Sequence, residues 1–361
     1  MSDVSEPRTS ALEPAAGQVD SAVDQACYTD PEGAYEAAVS RSVAQAGERH
    51  VVAVAGLDLK APPPRQTFFE RFRHSRRAVG GGLFLLVLAL LAIFAGYVAP
   101  GDPELVDFNY RLQTPIWTGI DLKYVLGGDQ LGRDILTRVI YGARISLTIG
   151  LLAVLISGTV GVLLGLLAGY YGGKTDEVIM RLADVQLAIP YILLAIALVG
   201  IMGPSLRNLI IVMSVSIWMT YARTVRGLVL SLREQQFIEA ARTVGGSDLR
   251  IIFRHILPNV WTPLIVLASQ QVGFVIILES ALSYLGLGVP PPTPTWGSMI
   301  ADGRGYLSTA WHVTTMPGLV LMSTVLAVNF FGDGLRDVLE ARPTTRLCAQ
   351  WRRVSAEGVG C

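Results

Sequence analysis

Residues 239–258 read EAARTVGGSDLRIIFRHILP, and the fold assignment turns on them. The stretch is polar and basic, and it lies between two long apolar runs. It is excluded from the hydrocarbon, where each unpaired polar group costs several kcal/mol. Its composition predicts two short helices joined by a tight turn. Glu239, Ala240 and Ala241 are good helix formers. Gly245 or Gly246 supplies the left-handed residue that ends the first helix. Ser247 is placed to cap the second, with Asp248 favourable in its first turn. Pro258 is expected to stop that helix before the next apolar run. The result is a helical knob held out of the bilayer, where a soluble partner can grip it.

The surrounding chain has the composition of a membrane protein. Of its 361 residues 51% are hydrophobic and 16% charged, against roughly 25% charged in an ordinary soluble domain. Lys+Arg and Asp+Glu balance at 29 each, so net charge points to no acidic partner and no nucleic acid. Cys27, Cys348 and Cys361 lie in the two tails without metal-ligand spacing and read as reduced cytoplasmic thiols. No apolar segment follows Met1 closely, so no cleaved signal peptide is expected.

Apolar runs at residues 79–98, 145–169, 185–203, 208–221, 260–282 and 312–331 make about six spans of the ~20 residues a bilayer needs. The fourth is short, with a candidate extension into 223–230. The positive-inside rule sets the orientation. With the N-terminus inside, the inner segments carry Arg71, Arg73, Arg76, Arg77, Lys174, Arg181, Arg223, Arg226, Arg233, Arg242, Arg250, Arg254, Arg336, Arg342 and Arg346, and the outer ones fewer cations. This places residues 239–258 in the cytoplasm. The second span carries Ala153, Ser157, Gly161, Gly165 and Gly169 at intervals of four, a small-residue ridge that lets another helix approach closely. It fits packing within the subunit better than a face toward a partner.

Other chemistry is sparse. Ion-coupled carriers place Asp, Glu or His relays inside their spans, and here Glu279 alone lies within one. It either lines a pathway or reaches outer-surface water. Gly172-Gly173-Lys174-Thr175 resembles the end of a P-loop, but Ala168 stands where that motif needs glycine. Four scattered histidines make no metal constellation. Nothing points to an enzyme.

The 239–258 stretch, with Glu239-Ala240-Ala241, Gly245, and Leu257-Pro258, resembles the coupling loop of ABC-importer permeases. His255 departs from the generic motif, which prefers Ile there. The resemblance extends further, to the dipeptide, oligopeptide and nickel importers. Its carriers are Gly128-Asp129-Gln130-Leu131-Gly132-Arg133-Asp134, Tyr141-Gly142-Ala143-Arg144, Ala281-Leu282-Ser283-Tyr284-Leu285-Gly286, Trp296-Gly297-Ser298-Met299, and Gly332-Asp333-Gly334-Leu335-Arg336-Asp337. Their order is similar to that of the C-type permease subunit.

The resemblance implies an all-α integral membrane protein with the type I importer-permease fold (MetI-like) in the bacterial inner membrane. Both termini would be cytoplasmic. By composition residues 1–65, rich in Ala, Ser, Glu and Asp, are expected to form a disordered cytoplasmic tail that has no counterpart in the family, followed by a basic juxtamembrane segment at 66–78, the first transmembrane helix at 79–98 and an extracytoplasmic loop at 99–141. Residues 142–340 form the permease domain with its coupling loop at 232–259, and 341–361 a C-terminal tail. The implied function is ATP-driven import of di- or oligopeptides, with nickel or another small solute as the alternative. The implied partners are a second, B-type permease, two ABC ATPase subunits that bind ATP and Mg, and an extracytoplasmic substrate-binding protein. Glu239, Ala240, Ala241, Gly245, Asp248, Leu257 and Pro258 are the expected coupling residues. A secondary transporter or channel would leave this loop unexplained.

Overall fold

The structure, a computed structural model, describes residues 72–73, 75–118 and 123–340. The expected tails 1–65 and 341–361, the three cysteines and residues 66–71 of the basic segment lie outside the described residues. Regular structure among the described residues is helical, apart from one isolated bridge between Gly128 and Asp134.

Helix α1 spans Arg76–Ile93 and is followed by the single turn α2, Ala95–Val98. After an irregular segment comes α3, Ile135–Tyr171, then α4, Gly173–Leu187, and α5, Tyr191–Met202. Helix α6 covers Leu206–Leu232, α7 Gln236–Thr243 and α8 Asp248–Ile251. A π-helical turn at Ile252–Ile256 leads into α9, Leu257–Tyr284, followed by α10, Trp296–Gly303, and α11, His312–Glu340.

Five helices are long and apolar enough to cross a membrane, and a sixth crossing arises if α4 and α5 count as one bent pair. That pair corrects the expected third span at residues 185–203. Its two parts meet at 90° around Pro190, and α5 has only 12 residues. The cause is local: proline lacks an N–H and biases the residue before it away from helical geometry. The fourth span is longer than residues 208–221. It continues past Arg223 to Leu232, because Arg223 and Arg226 find carboxylates on α4.

The core is built where α3 lies along α6. A Cβ added at Gly161 would sit 2.6 Å from the Tyr221 Cβ, at Gly165 2.8 Å from the Val225 Cβ, and at Gly169 2.7 Å from the Val229 Cβ. Ser157, on the same stripe, is buried and donates to the Val154 carbonyl. The small-residue ridge is therefore filled by this chain's own α6. A second close crossing joins α1 to α11, where a Cβ on Gly81 would lie 2.7 Å from the Ala327 oxygen.

The start of α3 is held by its own loop. Asp134 caps the helix by accepting from the Leu136 and Thr137 N–H groups. Asp129 accepts from the Leu131 N–H at 2.8 Å, the Arg133 N–H at 2.9 Å and Arg133 Nε at 2.7 Å. Further out, Lys123 Nζ lies 2.8 Å from Asp107 Oδ2, and this hydrogen bond holds the Asp107 carboxyl below the usual carboxylate range.

Candidate functional site

The loop between α6 and α9 has two faces. Its inner face is anchored: Ile238, Ile251, Ile252 and Ile256 are buried in one cluster with Tyr170 and Val229. Its outer face carries exposed apolar side chains, with Val244 89%, Leu249 62%, Phe253 51% and Phe237 40% exposed. Exposed Glu239 lies in the first turn of α7, where the helix dipole favours a carboxylate, and Arg242 lies in the last.

Helix α7 ends in a double hydrogen bond. The Gly245 N–H donates to the Arg242 carbonyl at 2.9 Å and the Gly246 N–H to the Ala241 carbonyl at 3.0 Å. This pattern needs a left-handed residue, and Gly245 provides it at φ +83°. No heavy atom lies within 4 Å of a Cβ added there. Glycine is thus required for backbone conformation and not for space.

Two local expectations are corrected. Ser247 occupies the N-cap position of α8, but its side chain makes no capping bond. The neighbouring Asp248 is tied instead, its Oδ1 accepting from the Tyr170 hydroxyl at 2.7 Å. Pro258 does not stop the helix. It lies within the continuous helix Asp248–Tyr284, just after a π-helical turn that accommodates its missing N–H. The π-turn before it changes the hydrogen-bonding register, with the Leu257 N–H reaching the Ile252 carbonyl. The second half of the polar knob and the fifth span are therefore one continuous rod, Asp248–Tyr284.

Of the expected coupling residues, Glu239, Ala240, Gly245, Asp248 and Pro258 are exposed, while Ala241 and Leu257 are half-buried against the core. Sequence reasoning missed what braces them. The Tyr170 ring lies 5.2 Å from the Arg242 guanidinium carbon, and Arg233 donates to the Gly169 carbonyl at 3.2 Å. The turn after Tyr171 uses Gly172 at φ +65° and Gly173 at φ +53° to reverse the chain into α4. The stretch that resembled a P-loop end is this turn.

Glu279 is fully buried and does not reach outer-surface water, nor does it open onto any surface of this chain. Its Oε1 accepts from Ser283 at 2.6 Å, and its Oε2 from Ser146 and Ser280 at 3.5 Å each. The chain encloses it because α10 folds over the α3–α9 junction, with Trp296 Nε1 donating to the Val139 carbonyl at 3.0 Å. Among the described residues no group of three or more His, Cys, Asp or Glu side chains is arranged to hold a metal ion.

A family profile described as binding-protein-dependent transport system inner membrane component matches residues 161–345. A second, the N-terminal TM domain of oligopeptide transport permease C, matches residues 63–115. The di/tripeptide transport system permease protein DppC of Pseudomonas aeruginosa is 44% identical over 282 residues, covering 78% of this chain and 93% of that protein. The glutathione transport system permease protein GsiD of Pectobacterium atrosepticum is 43% identical over 285 residues, covering 79% and 93%. The dipeptide transport system permease protein DppC of Haemophilus influenzae is 41% identical over 280 residues, covering 77% and 95%. Among solved structures, inward-facing MetNI methionine ABC transporter is similar with a TM-score of 0.47 and 19% identity, covering 56% of this chain and 96% of that one. With apolar spans, a two-faced loop outside them and these relatives, the chain belongs to the binding-protein-dependent transport system inner membrane components, the multi-pass permease subunits of ABC importers.

Proposed function

We propose that this permease forms half of the translocation pathway of an ATP-driven importer of di- or oligopeptides. The observation that carries the coupling role is the two-faced loop. Four isoleucines fix it to the core while Val244, Leu249, Phe253 and Phe237 stand in solvent. Exposed aromatic and aliphatic side chains on a braced element are the composition of an interface core. The partner that fits this loop is an ABC ATPase subunit, two of which would bind ATP and Mg. This chain then does no catalysis itself.

ATP-driven closure of the ATPases would push the loop. Because Asp248–Tyr284 is one rod, the push would tilt the fifth span as a rigid body, a domain-rocking transition of known type. A B-type permease would supply the other half of the pathway, and a substrate-binding protein would deliver the solute from outside. The loop and both termini would lie in the cytoplasm. Glu239, Ala240, Ala241, Gly245, Asp248, Leu257 and Pro258 form the coupling site in this reading.

The peptide assignment draws on the relatives, whose names specify dipeptides, di/tripeptides and glutathione. A nickel importer has less support, since no relative reported above carries that name. The test is a gentle detergent pull-down of the tagged chain from its native membrane, read by mass spectrometry. Recovery of a second permease, P-loop ATPases and a binding protein that retains short peptides is the expected result. Recovery of the chain alone, under conditions that keep other membrane complexes intact, would overturn the importer assembly. A binding protein loaded with nickel would overturn the peptide assignment only.

A further inference from the structure

Helix α4 is tied near its start and along its length. Its Gly172-Gly173 turn comes one residue after Tyr170, the last-turn residue of α3 whose hydroxyl is bonded to Asp248 of the loop at 2.7 Å. Along its length, polar side chains grip α6. Asp176 takes a two-point ion pair from Arg226, with the Nη2 contact at 2.6 Å. Asp184 Oδ1 accepts from Arg223 Nη2 at 2.6 Å. Gln186 Oε1 accepts from Trp218 Nε1 at 2.8 Å, and its amide donates to the Val215 carbonyl. At its far end comes the 90° bend at Pro190. Between the end of α4 and α6 lies an open cleft of about 300 Å³ lined by Leu187, Met219, Thr220, Arg223 and Thr224.

The Asp184–Arg223 pair sits at the lip of this cleft, with the two side chains 60% and 49% exposed. Of these contacts it is the one whose arginine also lines the cleft, so it joins α4 to α6 where the bend begins. The opposite face of α4 carries Val178, Leu182 and Val185, all exposed in this chain. The helix is therefore joined, through the end of α3, to a side chain that holds the loop, and is latched to α6 by polar contacts.

We propose that α4 is a strut carrying the displacement of the 239–258 loop to the Pro190 bend, and that Asp184 and Arg223 are positioning residues that latch the bend. This rests on the coupling reading of that loop. When the loop moves, Tyr170 and the Gly172-Gly173 turn move with it. Helix α4 then shifts along α6, and α5 changes its angle to the rest of the third span. Proline at the bend lets the two halves move without breaking a helical hydrogen bond there.

The test uses the assembled complex in lipid, with the native cysteines replaced by serine. Spin labels on Val178→Cys and Leu193→Cys report the distance across the bend, and Val244→Cys in a parallel preparation reports cross-linking of the loop to the ATPase. The expected result is a shifted distance on ATP trapping. Asp184→Ala or Arg223→Ala would abolish the shift and lower transport about tenfold, within the range of an allosteric coupling. The exchanged pair, Asp184→Arg with Arg223→Asp, would restore both. An unchanged distance on trapping, with the cross-link present, overturns the strut and leaves the coupling loop standing. Absence of the cross-link in an assembled complex overturns the coupling reading and the strut together. Failure of the exchanged pair to recover in an assembled complex overturns the latch. Should the single variants not assemble, the labelled parent complex alone decides.

Discussion

Gly245 has a left-handed backbone with empty space around it, so its substitution separates conformation from packing. Gly245→Ala is expected to cost roughly 1–2 kcal/mol through backbone strain alone. Gly245→Asp adds a charge to the exposed loop and is expected to leave membrane insertion intact while uncoupling transport. Purified complexes would be assayed for transport and for ATPase stimulation by loaded binding protein. Normal transport with full stimulation would remove the assigned role. Glu279 poses a different residue-scale problem, since three serine hydroxyls converge on a fully buried carboxyl. Glu279→Gln keeps an acceptor of the same shape. Glu279→Ala leaves buried hydroxyls unpaired, at about 1–3 kcal/mol, and opens a cavity as well. The alanine variant is expected to melt earlier than the glutamine variant in detergent, and equal melting would show that the hydroxyl cluster contributes nothing.

At the scale of elements, α3 and α6 are held together by the absence of side chains. Gly165→Val places branched carbons where a single Cβ already lies 2.5 Å from the Ala222 oxygen. Overpacking of this kind costs typically 1–3 kcal/mol, and here rigid backbone limits relaxation, so the upper end is expected. Gly158 lies on the same helix, but its added Cβ would stand at an ordinary 3.6 Å from Tyr221. Gly158→Ala is therefore expected to fold normally, and the pair can be compared by the monodispersity of the solubilised subunit. The four-residue spacing made this ridge legible in the sequence. Its partner was not legible, because the residues that fill it are 57 to 60 positions away and are chosen by how α6 lies, as with Gly161 beneath Trp218 and Tyr221. The break in the third span was legible in principle from Pro190, but an apolar run of adequate length masks it when hydropathy is read alone.

At the scale of the molecule, the apolar runs and the distribution of basic residues imply an N-terminus inside. The orientation predicts opposite labelling: Val244→Cys should react with an impermeant thiol reagent only from the cytoplasmic side, and Lys123→Cys only from outside, in a background without the native cysteines. The reverse pattern would invert the topology and remove the 239–258 loop from any cytoplasmic ATPase. The sequence by itself determined that the chain is helical and membrane-spanning, and that a polar knob interrupts it at 239–258. Hydrocarbon length and the cost of unpaired polar groups act on contiguous stretches, so they can be read along the chain. Its motifs also placed the chain among importer permeases, and the family comparisons agree. Only the tertiary structure decided that the second half of the knob and the fifth span are one rod, that Glu279 is enclosed by hydroxyls, that Tyr170 ties the end of α3 to the loop, and that Asp176 and Asp184 tie α4 to α6. These facts depend on groups brought together across as many as 133 positions, as with Ser146 and Glu279. Such pairing is settled by how helices pack in space, and no local pattern of residues encodes it.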